Sequence, residues 1–135
     1  MKYLYKIALV CTALLPTMLF AKISVQQPVI FTAQKGEPTA IFMQLRNDSE
    51  QEVNLAIVQS KNKARLELHG TQNGKMIEVT GIPIPPQSIT ELKRGGLHIM
   101  VFDTEKDLTI GDEYPIHLFF DNGEIIEVNA KVISP

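Results

Sequence analysis

After residue 22, apolar and polar side chains alternate with a period of two along most of the chain, which predicts strands rather than helices. Thr39 to Arg46 sets the pattern, with Ile41, Met43 and Leu45 on one face and Ala40, Phe42 and Gln44 on the other. Upstream, Lys22 to Gln27 reads as a lead-in or first edge strand, and Val29 to Thr32 as a separate strand ending before the turn Gln34-Lys35-Gly36-Glu37-Pro38. Val53 to Gln59 places Val53, Leu55 and Ile57 together on an inner face. Ala64 to His69 turns Ala64, Leu66 and Leu68 one way and Arg65, Glu67 and His69 the other, so His69 is expected on the wet side at a strand end. Asn73-Gly74 then marks a tight turn into Lys75 to Thr80.

Gly81 to Pro86 carries three prolines and cannot be a central strand; it is read as an extended crossing in which Ile82 and Ile84 close the end of the core. Ser88 to Leu92 resumes strand character, and Gly95-Gly96 permits a sharp turn into Leu97 to Phe102. Asp103 to Asp112 is a polar connection pinned by Leu108 and Ile110. The last pair is the clearest: Tyr114, Ile116, Leu118 and Phe120 line one face, Asp121-Asn122-Gly123 turns the chain, and Ile126, Val128, Ala130 and Val132 return. Eight or nine short strands with no helical window predict an all-β domain, either a two-sheet sandwich or a small barrel.

The first 21 residues break this pattern. Lys2 and Lys6 precede an apolar run from Ile7 to Phe20, the form of a secretory signal peptide cleaved after Ala21, which leaves a single domain over residues 22–135 outside the cytosol. Pro16 and the shortness of the run argue against a membrane anchor, and no stable membrane insertion is expected after cleavage. Cys11, the only cysteine, falls inside this leader behind Leu9-Val10, where a lipid-attachment signal would have small residues. The exported chain therefore has no disulfide, no thiolate nucleophile and no cysteine-based zinc site. Losing Lys2 and Lys6 leaves 11 basic against 15 acidic residues, a formal charge of −4, with no basic block to suit nucleic acid.

Chemistry concentrates between His69 and Met100. In Leu97-His98-Ile99-Met100 the side chains two apart share a strand face, so His98 and Met100 project together. Imidazoles with thioethers, and no thiolate, favour copper(I) over calcium, magnesium or structural zinc. Each candidate also has an ordinary reading: Met43 belongs to the Ile41/Leu45 core stripe, His117 is a surface or second-sheet histidine beside Phe119, and His69 beside Glu67 is a solvated residue. No HExxH, G-x-S-x-G or phosphate-cradling glycine motif occurs, and the carboxylates fall in turns or on solvent faces, so no enzyme is expected.

Together, Leu68-His69, Met76, Gly81-Ile82, Ile84-Pro85, Glu91-Leu92-Lys93, Gly95-Gly96-Leu97-His98-Ile99-Met100 and Gly111-Asp112 resemble the periplasmic copper chaperone family often called PCu(A)C. The likeness spans most of residues 22–135 and includes a methionine, Met76, 22 positions before His98. The resemblance implies a cupredoxin-like or immunoglobulin-like β-sandwich holding one copper(I) per chain through His69, Met76, His98 and Met100. It also implies a periplasmic chaperone for the CuA centre of cytochrome c oxidase, with a copper-accepting oxidase subunit and a thiol-bearing assembly protein as partners. His69 and Met76 enclose six residues where the family usually has ten, so the hairpin between them is shorter here. Protonated imidazole does not bind copper, so affinity is expected to fall below about pH 6. The alternative from another class is a secreted β-sandwich interaction module with a vestigial or absent metal site, using Phe102, His117 and Phe119 as its contact face.

Overall fold

The computed structural model describes residues 22–135; the expected leader over residues 1–21, with Cys11, lies outside the described residues. The described residues form ten strands: β1 (Ile23–Phe31), β2 (Thr39–Asn47), β3 (Val53–Ser60), β4 (Arg65–Gln72), β5 (Lys75–Glu78), β6 (Ile82–Ile84), β7 (Ser88–Leu92), β8 (His98–Phe102), β9 (Glu113–Phe120) and β10 (Ile125–Ile133). The hydrogen-bonded order is β5-β4-β8-β2-β1-β10-β9-β3-β6, with β7 also paired to β2. Alternate residues from both halves of this order meet in one apolar cluster, which makes the architecture a β-sandwich of the expected class.

β1 joins the two layers. It pairs antiparallel with β2 from Ile23↔Asn47 to Ile30↔Ile41, and parallel with β10 through Val29↔Lys131, Ile30↔Val132 and Phe31↔Ile133. The two separate segments expected here are therefore one strand, bent at a bulge between Gln26 and Val29 where Gln27 takes a φ of 53°. Pro28 lies within that irregularity, where its missing N–H breaks no ladder bond.

The stripes of β2 and β9 behave as the alternation predicts: Ile41, Met43 and Leu45, and Tyr114, Ile116, Leu118 and Phe120, are all buried. Each such side chain removed from water contributes about 1.5–3 kcal/mol before the entropy of ordering is charged against it. On β3 the prediction fails at one residue. The register slips between Leu55 and Ile57, so Ile57 is 54% exposed and Val58, at 7%, takes the inner position. Ile57→Ser should consequently leave stability within about 0.5 kcal/mol of the parent, whereas Val58→Ala should cost about 2 kcal/mol. Urea unfolding of the two variants separates these outcomes; equal losses would restore the uninterrupted register.

β6 is an edge strand whose ladder pairing is with β3, and its Ile82 and Ile84 are fully buried, closing the core end as expected. Asn47 ties that end down. Its Nδ2 donates to the Gln51 and Ile84 carbonyls at 2.8 and 2.9 Å, and its Oδ1 accepts from the backbone N–H and hydroxyl of Ser49. In the β9 approach, Leu108 is buried through a bridge to Ala33, while Ile110 is exposed and pins nothing.

Candidate metal site

β4 and β8 lie side by side in antiparallel register, with His69 opposite His98 and Glu67 opposite Met100. Because side chains two apart share a face, these four residues stand together on the face turned away from the buried Leu68, Ile99 and Val101. β2 closes one flank, with Ala40 opposite Met100, and the β4–β5 hairpin the other, with Thr71 opposite Met76. That hairpin turns through Asn73 and Gly74, both at positive φ, the signature of the two-residue turn expected from Asn-Gly.

The imidazoles are packed at a tilt to each other among aromatics. The His69 and His98 ring centroids lie 5.7 Å apart, Phe42 is 6.1 Å from His98, and Phe102 is 6.3 Å from His69. This corrects the expectation that His69 is wet: it is 9% exposed, because His98 and Phe102 crowd its ring and Glu67 closes over one of its nitrogens. His98 is 4% exposed, Met100 is half-buried and Met76 is 55% exposed on the outermost strand. Met76, His98 and Met100 line one shallow depression of about 180 Å³ together with Phe42 and Arg94; His69 is not part of its lining and adjoins it through His98.

The hydrogen bonds assign the ring nitrogens. His98 Nδ1 lies 2.8 Å from the Gly96 carbonyl, which can only accept, so Nδ1–H donates and Nε2 keeps a lone pair. His69 Nε2 lies 2.8 Å from Glu67 Oε1 and donates to it, leaving the lone pair on Nδ1. Those two remaining atoms, His98 Nε2 and His69 Nδ1, are the buried side-chain polar atoms with no hydrogen-bond partner among the described residues. Buried polar atoms are almost always paired, and an imidazole that donates one N–H to an oxygen while presenting the other nitrogen is the usual posture of a metal ligand. The donor set therefore fits a soft ion: two imidazoles, one of which, His98, lines a depression with two thioethers. It does not fit a harder site, since no group of three or more His, Cys, Asp or Glu residues is placed to hold a metal among the described residues.

Other candidates fall where ordinary chemistry puts them. Met43 is core, and His117 is a partly exposed residue of β9 with Phe119 beside it and Glu127 3.9 Å from its Nε2. Phe102 joins the His69 group and lies four strands from β9 in the hydrogen-bonded order, so Phe102, His117 and Phe119 do not form one contact face. Three groups away from the site have displaced pKa values. Hydrogen bonds from the Thr109 backbone and hydroxyl hold Asp112 below the usual carboxylate range, a hydrogen bond from Lys61 lowers Glu127, and burial raises Tyr114. Glu67 was missed as part of the site, although its place two residues before His69 on an alternating strand is the signal that could have found it.

Comparison with solved structures supports the fold. The copper-bound PCuAC domain of PmoF2 superposes with a TM-score of 0.74 at 23% identity, covering 84% of this chain and 94% of that one. The apo PCuAC domain of PmoF1 gives 0.75 at 20%, over 84% and 95%. The copper(I) form of DR1885 from Deinococcus radiodurans gives 0.60 at 24%, over 80% and 77%. At these identities the likeness is one of fold. In sequence, RP573 of Rickettsia prowazekii (strain Madrid E), a protein described as uncharacterized, is 32% identical over 113 residues, 80% of this chain; the chain spans 62% of that relative's length. The profile of the family described as "Putative lipoprotein LpqE-like" matches residues 23–132, nearly everything from β1 through β10, and the chain belongs to that LpqE-like family.

Proposed function

We propose that this protein holds a single copper(I) ion through His69, Met76, His98 and Met100 and hands it on without chemical change. The observation that carries the reading is the pair of buried imidazole nitrogens, His69 Nδ1 and His98 Nε2, left without partners on rings 5.7 Å apart, the His98 ring sharing one depression with the two thioethers. The fold shared with a copper-bound PCuAC domain agrees with it. Under this reading the chain is exported to the periplasm by its leader. The recipient is the CuA centre of a cytochrome c oxidase, reached through an oxidase subunit and a thiol-bearing assembly protein. Exposure of Met76 supports transfer, because an incoming thiolate can replace a thioether at the rim before the imidazoles let go.

A second reading is a secreted β-sandwich interaction module with an absent or vestigial site. Judged by clusters of three or more His, Cys, Asp or Glu residues alone, it is the better supported, since the described residues contain none. The unpartnered nitrogens and the thioethers, which such a count leaves out, favour copper. Titration of copper(I) against a competing chelator at pH 7 and pH 5 tests the choice. A one-to-one complex that weakens at pH 5 is expected, because protons compete for the imidazole lone pairs; no complex, or one indifferent to pH, would leave the module. X-ray absorption of the loaded chain would count sulfur and nitrogen donors directly.

A further inference from the structure

We infer that Glu67 is a positioning residue for the site: its carboxylate holds the His69 ring with Nε2 protonated, so that Nδ1 is the nitrogen left to bind the ion. The two histidines then use opposite nitrogens, Nδ1 from His69 and Nε2 from His98. What Nδ1 binds rests on the copper reading above; the hold of Glu67 on the ring does not.

The geometry closes on itself. Glu67 and His69 are two apart on β4 and face the same way, and Oε1 of Glu67 accepts the Nε2–H of His69 at 2.8 Å. Oε2 of the same carboxylate is bonded to the Arg65 guanidinium, which is stacked 4.4 Å over the Phe102 ring. Phe102 in turn lies 6.3 Å from His69. A ring of four contacts, His69 to Glu67 to Arg65 to Phe102 and back, thus restrains both the carboxylate and the imidazole. A carboxylate accepting from one imidazole nitrogen makes the other a better donor and fixes the ring plane.

The same contacts answer a second question. Glu67 stands opposite Met100 in the β4–β8 register, a carboxylate on the strand face that carries the proposed donors, and carboxylate oxygen is a hard ligand. With one oxygen engaged by His69 and the other by Arg65, it is withheld from that role, and the donor set stays soft.

The test is long-range ¹H–¹⁵N spectroscopy of the imidazoles in the ¹⁵N-labelled full chain, metal-free and loaded with copper(I), for wild type, Glu67→Gln and Glu67→Leu. Backbone spectra of each variant verify the fold. In the metal-free wild type, His69 should carry its proton on Nε2 and His98 on Nδ1. Glutamine keeps an oxygen that can accept from Nε2, so E67Q should retain the same tautomer and near-parental affinity. E67L should let His69 sample both tautomers and weaken copper(I) binding about 10- to 100-fold. A wild-type His69 protonated on Nδ1, or an E67L chain with unchanged tautomer and affinity, overturns the proposal. A wild type that binds no copper(I) sinks the chaperone reading instead, and the metal-free tautomers of the three chains still decide whether Glu67 holds the ring.

Discussion

His98→Ala is expected to weaken copper(I) binding by more than about 100-fold while costing the metal-free domain no more than about 2 kcal/mol. The size of the first effect follows from the proposed site's economy of donors: losing only an outer hydrogen-bond partner of a ligating histidine typically costs about 10- to 100-fold, and here a proposed ligand itself is removed. The second effect comes from opposing terms. Alanine loses the packing of a ring set between Phe42 and His69 together with the Nδ1–H bond to the Gly96 carbonyl, but it also removes a buried Nε2 that has no partner, a group whose burial costs about 1–3 kcal/mol. The gain offsets part of the loss. Chelator competition and thermal melts of wild type and H98A read both quantities, with His117→Ala as the control that should change neither. Unaltered copper binding in H98A would leave the interaction module as the standing account. A large loss of stability would mean that the histidine is kept for packing.

The second large effect lies far from the donors. Asn47→Ala should destabilise the fold by about 3 kcal/mol or more, because it deletes a fully buried amide that satisfies four partners at once. The Ile84 carbonyl on β6 and the Gln51 carbonyl in the β2–β3 turn both lose the amide as donor, Gln51 keeping only the Ser49 hydroxyl within reach, and a methyl group fills little of the vacated volume. Asn47→Asp should be no rescue, since it keeps the acceptor for Ser49 but withdraws the donor and buries a charge. Chemical denaturation measures the loss; a change below about 1 kcal/mol would mean that water replaces the amide at little cost.

The strands with clean alternation were legible from the sequence because one face of each meets the core and the other meets solvent. β2 and β9 are of this kind. Where the backbone slips by a residue, the pattern misleads: the irregularity at Leu55 to Ile57 exchanges Ile57 for Val58, and nothing in the side chains announces it. The bulge at Gln27 likewise merged two expected segments into one strand. At the site, His98 and Met100 could be paired from spacing alone, since both lie on β8. The burial of His69 could not, because it depends on the β4–β8 register, and register is set by distant strands rather than by the residues in question. The partners of the ring nitrogens, Gly96 and Glu67, belong to the same category.

The strand shared between layers also sets the order of assembly. The sheet that carries the four proposed donors is complete once Phe102 has been made, but its apolar underside has only β3 and β6 of the facing layer for cover until β9 and β10 follow. β1 meets β10 across about a hundred positions of chain, one of the longest closures in the molecule, and contacts of that span slow folding to the millisecond-to-second range. A nascent chain that stalls after β8 would thus present the finished face of the proposed ligands on a sheet whose greasy side is still partly open to other proteins.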